Sequence, residues 1–258
     1  MEPTRALRIM VPVSGAYFGQ IRVRRATGTL DTDGLERVLS EPSARALTLA
    51  RQLHEHGAEL VAVHVDRGAG EEILREALAH GADHGILVEG LKAGPGDASA
   101  RAALIADVVR ENGPFDAIVG AAQSELSGFT GTLPYLAGQL EMPVVVGVRT
   151  VRPENGGFRI GYESIFGTYD LQIPSPCVVV AGDLKPGHPT AWAIHDAFGP
   201  RGILRVQADA ATARKPLTKR LRVESPPVDQ RAGEEVDGAT LVRRMRSRAL
   251  IPERRPAR

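Results

Sequence analysis

Six short apolar runs rich in β-branched residues recur along the chain, and the stretches between several of them repeat with helical spacing. This alternation limits the available folds more than any other feature. The runs are LRIMVPV (7–13), ELVAVHV (59–65), HGILVE (84–89), DAIVG (116–120), MPVVVGV (142–148) and CVVVA (177–181). Between them, Ala46, Leu49, Ala50 and Leu53 fall on one helix face, as do Ile73, Leu74, Ala77 and Leu78, and then Ala102, Ile105, Ala106 and Val109. Asn112, Gly113 and Pro114 stop the third of these helices. Strands and helices in alternation give a mostly parallel sheet covered on both faces. The fold class is α/β, doubly wound and Rossmann-like.

After about residue 150 the texture changes. FRIGYE and TYDLQI read as an antiparallel pair, with a turn inside Glu163 to Gly167. Proline and charge rise from Asp183 onward, and ESPPVDQRAGEEV is extended by its prolines. A short basic helix, ATLVRRMRSRAL, follows; Leu241 and Met245 give it a narrow apolar stripe that needs a surface to lie on. The expected division is an α/β nucleotide-binding domain over 1–204 and a carboxyl-terminal arm with a short helix over 205–258. No internal repeat is evident.

Composition excludes several classes. The 258 residues are 43% hydrophobic and 24% charged, ordinary globular material. A formal net charge of +1 argues against a nucleic-acid grip. The basic end RRMRSRALIPERRPAR reads as a solvated helix face and frayed terminus. No apolar run is long enough to span a membrane, and MEPTRALRIMVPV enters strand pattern too soon for a secretory signal. Cys177 is the only cysteine and sits in an apolar run. A cytoplasmic protein is expected.

The stretch FDAIVGAAQSELSGFTGTLPYLA (115–137) carries the functional question. It is a buried strand, then a long loop of Gly, Ala, Ser, Thr and Gln, then a helix starting between Thr130 and Leu133. In open parallel sheets, ligands sit beyond the carboxyl ends of the strands near a switch in strand order. A helix start there presents free N–H groups and a positive dipole end, which suits a phosphate. The alternative is a loop that merely caps its helix with Thr130.

Absences narrow the chemistry. There is no G-x-x-x-x-G-K-[ST], no G-x-G-x-x-G after the first strand and no G-x-S-x-G. His80 and His84 are separated by turn chemistry and make a poor zinc pair, so no metal is expected. No nucleophile stands beside a base. The chain reads as one that holds something rather than transforming it, without catalytic residues of its own.

Several segments together resemble the β subunit of electron transfer flavoprotein. EEILREALAHGADHGILVE (71–89) is similar to that family's helix and following strand, and LRVESPPVDQRAGEEVDGATLVRRMRSRALI (221–251) to its carboxyl-terminal arm. YFGQIRV (17–23), GAAQSELSGFTG (120–131) and DLKPGHPTAWAIHDA (183–197) resemble further family segments in the same order. The resemblance implies a heterodimer with an α subunit that holds most of a redox-active FAD, and a structural AMP on the β subunit. It implies a carrier between a flavin dehydrogenase and a membrane quinone reductase, without membrane insertion of its own. By the same resemblance, the nucleotide is wrapped by Gly120, Ala121, Ala122, Gln123, Ser124, Glu125, Leu126, Ser127, Gly128, Phe129, Thr130, Gly131 and Thr132. Met10, Val65 and the SEPS segment (Ser40, Glu41, Pro42, Ser43) fall where other parts of the pocket are expected. Tyr17 matches a tyrosine near the partner's flavin; packing at a strand end is its alternative.

The departures are specific. Pro12 and Ala16 replace charged positions of the family, Glu41-Pro42-Ser43 replaces an Asn-Pro-aromatic step, and the acidic run of the loop shrinks to Glu125. Tyr162, Ile165, Phe166, Gly167 and Tyr169 replace a charged pattern on a surface that the resemblance turns toward the α subunit. The family's recognition loop inserts a leucine into its dehydrogenase; here that position is Ala191, followed by Trp192, the only tryptophan. Trp192 is expected either as an exposed partner anchor or as core. Two further readings stand beside the first: a flavin-bifurcating type with FAD in place of AMP, and a free-standing adenine-nucleotide-binding stress-type protein.

Overall fold

The computed structural model describes residues 5–24, 27, 29–65, 70–89, 97–123, 131–199, 202–208, 217–218, 236–248 and 250. Strand β1 (Arg8–Val13) leads into two short ribbons, β2 (Gly15–Phe18) with β5 (Glu36–Leu39) and β3 (Arg22–Arg24) with β4 (Thr29–Asp31). Then come α1 (Glu41–His54), β6 (Glu59–Val65), α2 (Glu71–Ala79), β7 (His84–Glu89), α3 (Ala98–Asn112), β8 (Ala117–Ala121) and α4 (Thr132–Leu140). The antiparallel part follows as β9 (Val144–Glu154), β10 (Gly157–Ser164) and β11 (Gly167–Pro174), and β12 (Cys177–Ala181) returns to the parallel part. After it come α5 (Ala191–Ala197), β13 (Ile203–Gln207) and α6 (Gly238–Ser247).

The six apolar runs of the sequence are β1, β6, β7, β8, β9 and β12. Successive side chains of a strand point to opposite faces, and both faces here are apolar. Ile9, Val11 and Val13 join one core while Met10 joins the other; Ala117 and Val119 face away from Ile118, and Cys177, Val179 and Ala181 away from Val178 and Val180. Helices α1 and α2 cover the first face with Ala46, Leu47, Leu49, Leu53, Ile73 and Leu74, and α3 and α4 cover the second. Fully burying each such leucine or isoleucine contributes about 1.5–3 kcal/mol.

The main sheet has the order β11-β10-β9-β12-β8-β1-β6-β7-β13. From β1 the chain steps outward through β6 and β7, then returns through α3 to β8 on the other side of β1. Right-handed crossovers place helices on opposite faces when the direction of travel reverses, which is why α1 and α2 lie opposite α3 and α4. The reversal makes a switch point between β1 and β8. FRIGYE and TYDLQI pair antiparallel as expected, in β10 and β11.

Local chemistry sets the helix starts. Ser40 caps α1 by accepting from the Ser43 N–H, with proline in the first turn, and Asp97 caps α3 by accepting from the Ala100 N–H. Gly113, before Pro114, ends α3. Strand β13 straddles the division expected at 204/205 and pairs in parallel with β7. The chain separates into Met1–Val223 and Glu224–Arg258. Within the second unit, α6 is capped by Asp237, whose carboxylate accepts from the Thr240 N–H and hydroxyl. Leu241 and Val242 on α6 are exposed.

Candidate functional site

A cleft of about 60 Å³ opens at the switch point. Its floor is the carboxyl end of the sheet: Pro12 and Val13 of β1 with Ser14 after it, Val63 and Val65 of β6, and Ala121 of β8 with Ala122 and Gln123 after it. Helix starts form its walls, with Ser43 of α1, Arg101 and Ile105 of α3, and Thr132 and Leu133 of α4. Arg101 is the only charged side chain among the described residues that line it. An apolar slot with a few hydroxyls, one amide and one cation suits a ligand with a flat apolar part and an anionic end.

A buried serine network holds one wall. The Ser14 N–H donates to Ser43 Oγ at 2.9 Å, Ser40 Oγ donates to Ser43 Oγ at 2.9 Å, and the Ser40 N–H donates to the Ser14 carbonyl at 2.9 Å. This pins the start of α1 to the end of β1. Under it, His64 donates from Nδ1 to the Val13 carbonyl at 2.9 Å.

The structure distributes the expected nucleotide residues unevenly. Ser43, Val65, Ala121, Ala122, Gln123 and Thr132 line the cleft. Ser40 is buried behind it, in the serine network. Met10 has no exposed surface and packs in the core on the α3 and α4 side. Glu41 is exposed and pairs with Arg45, and Pro42 is half-buried beside it. Gly131 is the amino-terminal cap of α4 and, being glycine, supplies no side-chain cap bond. Gly120 is small for an internal reason: a Cβ there would stand 2.7 Å from Leu133 Cδ1. Its hydrogen admits the protein's own helix α4 against β8. Ser124, Glu125, Leu126, Ser127, Gly128, Phe129 and Thr130 lie outside the described residues.

Pro12, Val13, Ser14, Val63, Arg101, Ile105 and Leu133 also line the cleft without having been singled out as binding residues. The signal for Arg101 was available: Asp97 is a capping residue ahead of an apolar period, which puts Arg101 in the first turns of a helix that follows a parallel strand.

Tyr17 is half-buried on β2, across from Arg37 of β5, and does not line the cleft. The ribbon is anchored by Glu76 of α2, whose carboxylate accepts from the Leu39 N–H at 2.8 Å. Burial pushes the Glu76 carboxyl above the usual carboxylate range, the Leu39 N–H pulls it back, and the nearby Glu36 adds to the rise. The Cys177 thiol is buried and pushed up to about 12, so it stays protonated and inert.

Trp192 stands near the start of α5 and is 75% exposed, which removes the alternative of a core tryptophan. Its ring stacks on His195, with centroids 5.6 Å apart and planes 22° from parallel. Ile194 on the same short helix and Phe198, which follows its last residue, are exposed, and Ala191 is exposed beside Trp192. The loop before α5 is tied to α1, with the Gly187 N–H donating to Thr48 Oγ1 at 2.8 Å and Arg45 pairing with Asp183 at 3.1 Å. At the far edge of the sheet, Tyr162 stacks on Tyr169, while Ile165 and Phe166 at the hairpin tip are 93% and 83% exposed.

Among the described residues no helix is long and apolar enough to cross a membrane, and no group of three ligating side chains is placed to hold a metal. His80 faces His188 and Arg51, whereas His84 faces Glu59 at 3.6 Å. Burial, and then the nearness of His188 and Arg51, hold His80 below the usual histidine range.

The profile of the family described as "Electron transfer flavoprotein domain" matches residues 27–183, more than half of the chain. The chain is 26% identical over 248 residues to "Electron transfer flavoprotein subunit beta" of Thermoanaerobacterium thermosaccharolyticum, covering 90% of this chain and 95% of that one. It is 25% identical over 233 residues to "Caffeyl-CoA reductase-Etf complex subunit CarD" of Acetobacterium woodii, covering 86% and 88%. It is 28% identical over 168 residues to "Protein FixA" of Azorhizobium caulinodans, covering 62% and 60%.

Proposed function

The chain belongs to the electron transfer flavoprotein domain family as a divergent β-type electron-transfer subunit, and we propose that it works as half of a heterodimer that carries electrons away from a flavin dehydrogenase. In this reading the α-type partner holds most of the FAD, which supplies the redox chemistry when bound. This chain contributes a nucleotide cleft, the face presented by Tyr17 and a docking helix. It has no catalytic residue of its own, and the complex works in the cytoplasm, passing electrons to a quinone reductase at the membrane.

The observation that carries the reading is the cleft at the β1/β8 switch point, which Arg101 and the start of α4 both line. Both favour a phosphate, and the apolar walls favour a base. AMP fits that donor set. The loop residues from Ser124 to Thr130 complete the cradle in this reading. In this reading the chain beyond β13 forms the arm that wraps the partner, and the apolar hairpin tip at Ile165 and Phe166 faces the same subunit. Trp192 is the anchor that enters the dehydrogenase, in place of the leucine the family uses. A tryptophan hot spot of that kind contributes about 2 kcal/mol or more to an interface.

The likeness to CarD, whose name places it in a complex with a reductase, favours a second reading in which FAD occupies the cleft. One experiment separates the two. The chain is co-purified with the α-type protein encoded beside it, the complex is denatured, and released nucleotides are identified by mass spectrometry. One FAD and one AMP per heterodimer is the expected result, and two FADs move the assignment to the second reading. ATP or ADP alone, with no partner, overturns both.

A further inference from the structure

We infer that Arg75 is a positioning residue for the docking helix: it closes the carboxyl end of α5 and so fixes the direction in which Trp192 projects. The inference rests on the reading of Trp192 as a partner anchor.

Helix α5 has seven residues, of which only Ala197 is buried. A helix that short does not hold itself in water, because nucleation costs more than two turns return. Its ends must be tied from outside. At the amino end Thr190 accepts from the Ala193 N–H at 3.2 Å. At the carboxyl end the last carbonyls have no partner within the helix, and Arg75 of α2 supplies one. Its Nη1 donates to the carbonyl oxygens of Ala197 and Gly199, each at 3.0 Å.

The guanidinium is held in turn. Glu71, one turn earlier on α2, accepts from Arg75 Nε at 3.2 Å and from Nη2 at 3.0 Å. The other Glu71 oxygen takes Arg205 of β13, which also pairs with Glu89 of β7. The end of α5 is thus fastened to α2 and, through Glu71, to the edge of the sheet. Only a planar fork reaches two carbonyls and a carboxylate at once; a lysine offers a point charge on a flexible stem. With one end of α5 fixed, the exposed Trp192 ring at the other end has one direction in which to point, and its stack on His195 records that direction.

The test can be made in the full chain, where Trp192 is the sole tryptophan. An indole on a fastened helix turns with the whole molecule, whereas one on a loosened helix turns on its own. The anisotropy of Trp192 emission is therefore expected to be high in the unaltered chain. In Arg75→Gln it is expected to drop roughly twofold, with Arg75→Lys between the two because it keeps the charge but loses the fork. Unaltered anisotropy in Arg75→Gln overturns the inference, and so does free ring motion in the unaltered chain, since the stack is its premise. If far-UV circular dichroism shows that Arg75→Gln does not fold, Arg75→Lys decides, and an unaltered anisotropy there overturns it. The docking reading fails separately: Trp192→Ala that accepts electrons from the cognate dehydrogenase at the normal rate refutes the anchor while leaving the role of Arg75 in α5 standing.

Discussion

The two ends of the central sheet are built from different chemistry. At the amino ends, carboxylates close the first N–H groups of the strands: Asp116 accepts from the Arg8 N–H at 2.8 Å, and Asp83 accepts from the Leu60 N–H at 2.8 Å. Around them Arg5 pairs with Asp116, Arg8 with Glu59, and His54 with Asp83. At the carboxyl ends of β1 and β8 the corresponding places hold serine hydroxyls, alanines, a glutamine and one arginine. Charge at the amino ends therefore answers charge within the protein. At the carboxyl ends of β1 and β8, Arg101 and the start of α4 border the cleft. Ionic residues close the amino ends of β1 and β6, and small neutral ones leave the cleft at the β1/β8 switch point.

The strongest way to break this comparison is to fill the open end. Gly120→Val drives a side chain into Leu133, which a Cβ alone would approach to 2.7 Å. Overpacking of this kind costs about 1–3 kcal/mol, and displacing α4 is expected to empty the cleft as well. Urea denaturation and nucleotide content measured on the same preparation check both effects. Full nucleotide retention would show that the position of α4 does not shape the site.

Disturbing the closed end comes next. Asp116→Ala leaves the Arg8 N–H without its acceptor and Arg5 without its partner. The expected loss is about 1–2 kcal/mol in urea denaturation, with nucleotide content unchanged. An emptied cleft in this variant would mean that the two ends are coupled, and the division of labour would not hold.

The smallest effect is expected at Asp97, the acid that caps the helix carrying Arg101. Asp97 is buried, and its carboxylate accepts from the Ala100 N–H at 3.0 Å and from the Thr218 N–H and hydroxyl at 2.7 and 3.1 Å. The Ala100 N–H first, and then Thr218 against the opposing effect of burial, hold this carboxyl below the usual range. A carboxyl lowered in the folded state contributes stability that is fully present above its unfolded value of about 3.9 and is lost as pH falls through the folded value. Asparagine keeps one acceptor for the Ala100 N–H but sets an amide NH2 against the Thr218 N–H. Asp97→Asn should therefore be less stable than the parent near neutral pH, and the gap should narrow as pH falls below about 4 and the parent's carboxyl takes up its proton. Urea midpoints across that range test the sign; parallel acid limbs in the two proteins would refute it.

Legibility in the sequence followed burial. β1, β6, β7, β8, β9 and β12 were readable because most are covered on both faces, and two apolar faces leave an unbroken apolar run. β13 reads ILRVQ and was missed: an edge strand with Leu204 and Arg205 exposed carries too little hydrophobic signal. The ribbons of β2 to β5 fail for the same reason, being short and mostly half-exposed. In the site, Gly120 was legible as a point of close approach, but not what approaches it, because Leu133 reaches the strand only through the crossing of α4 over β8. Arg101 was hidden by its neighbours, since it sits within the apolar period of α3 and only the capping aspartate marks how near the helix start it lies. Trp192 had no readable exposure, because a seven-residue helix of Ala, Trp and Ile has too few turns to declare a face. What orients it is a guanidinium more than a hundred residues earlier.

Strand β12 sits between β8 and β9 and pairs in parallel with both. On a ribosome, β8 emerges well before it and β9 with its antiparallel hairpin follows, yet neither can be joined to the other until residues 177–181 arrive. The interior of the sheet is therefore completed after one of its margins. A nascent chain that has already made the whole β1, β6 and β7 half still carries an unpaired edge on β8, the strand whose end floors the cleft. For as long as that edge is open, the strand that shapes the cleft is also the one most exposed to mispairing with a neighbouring chain.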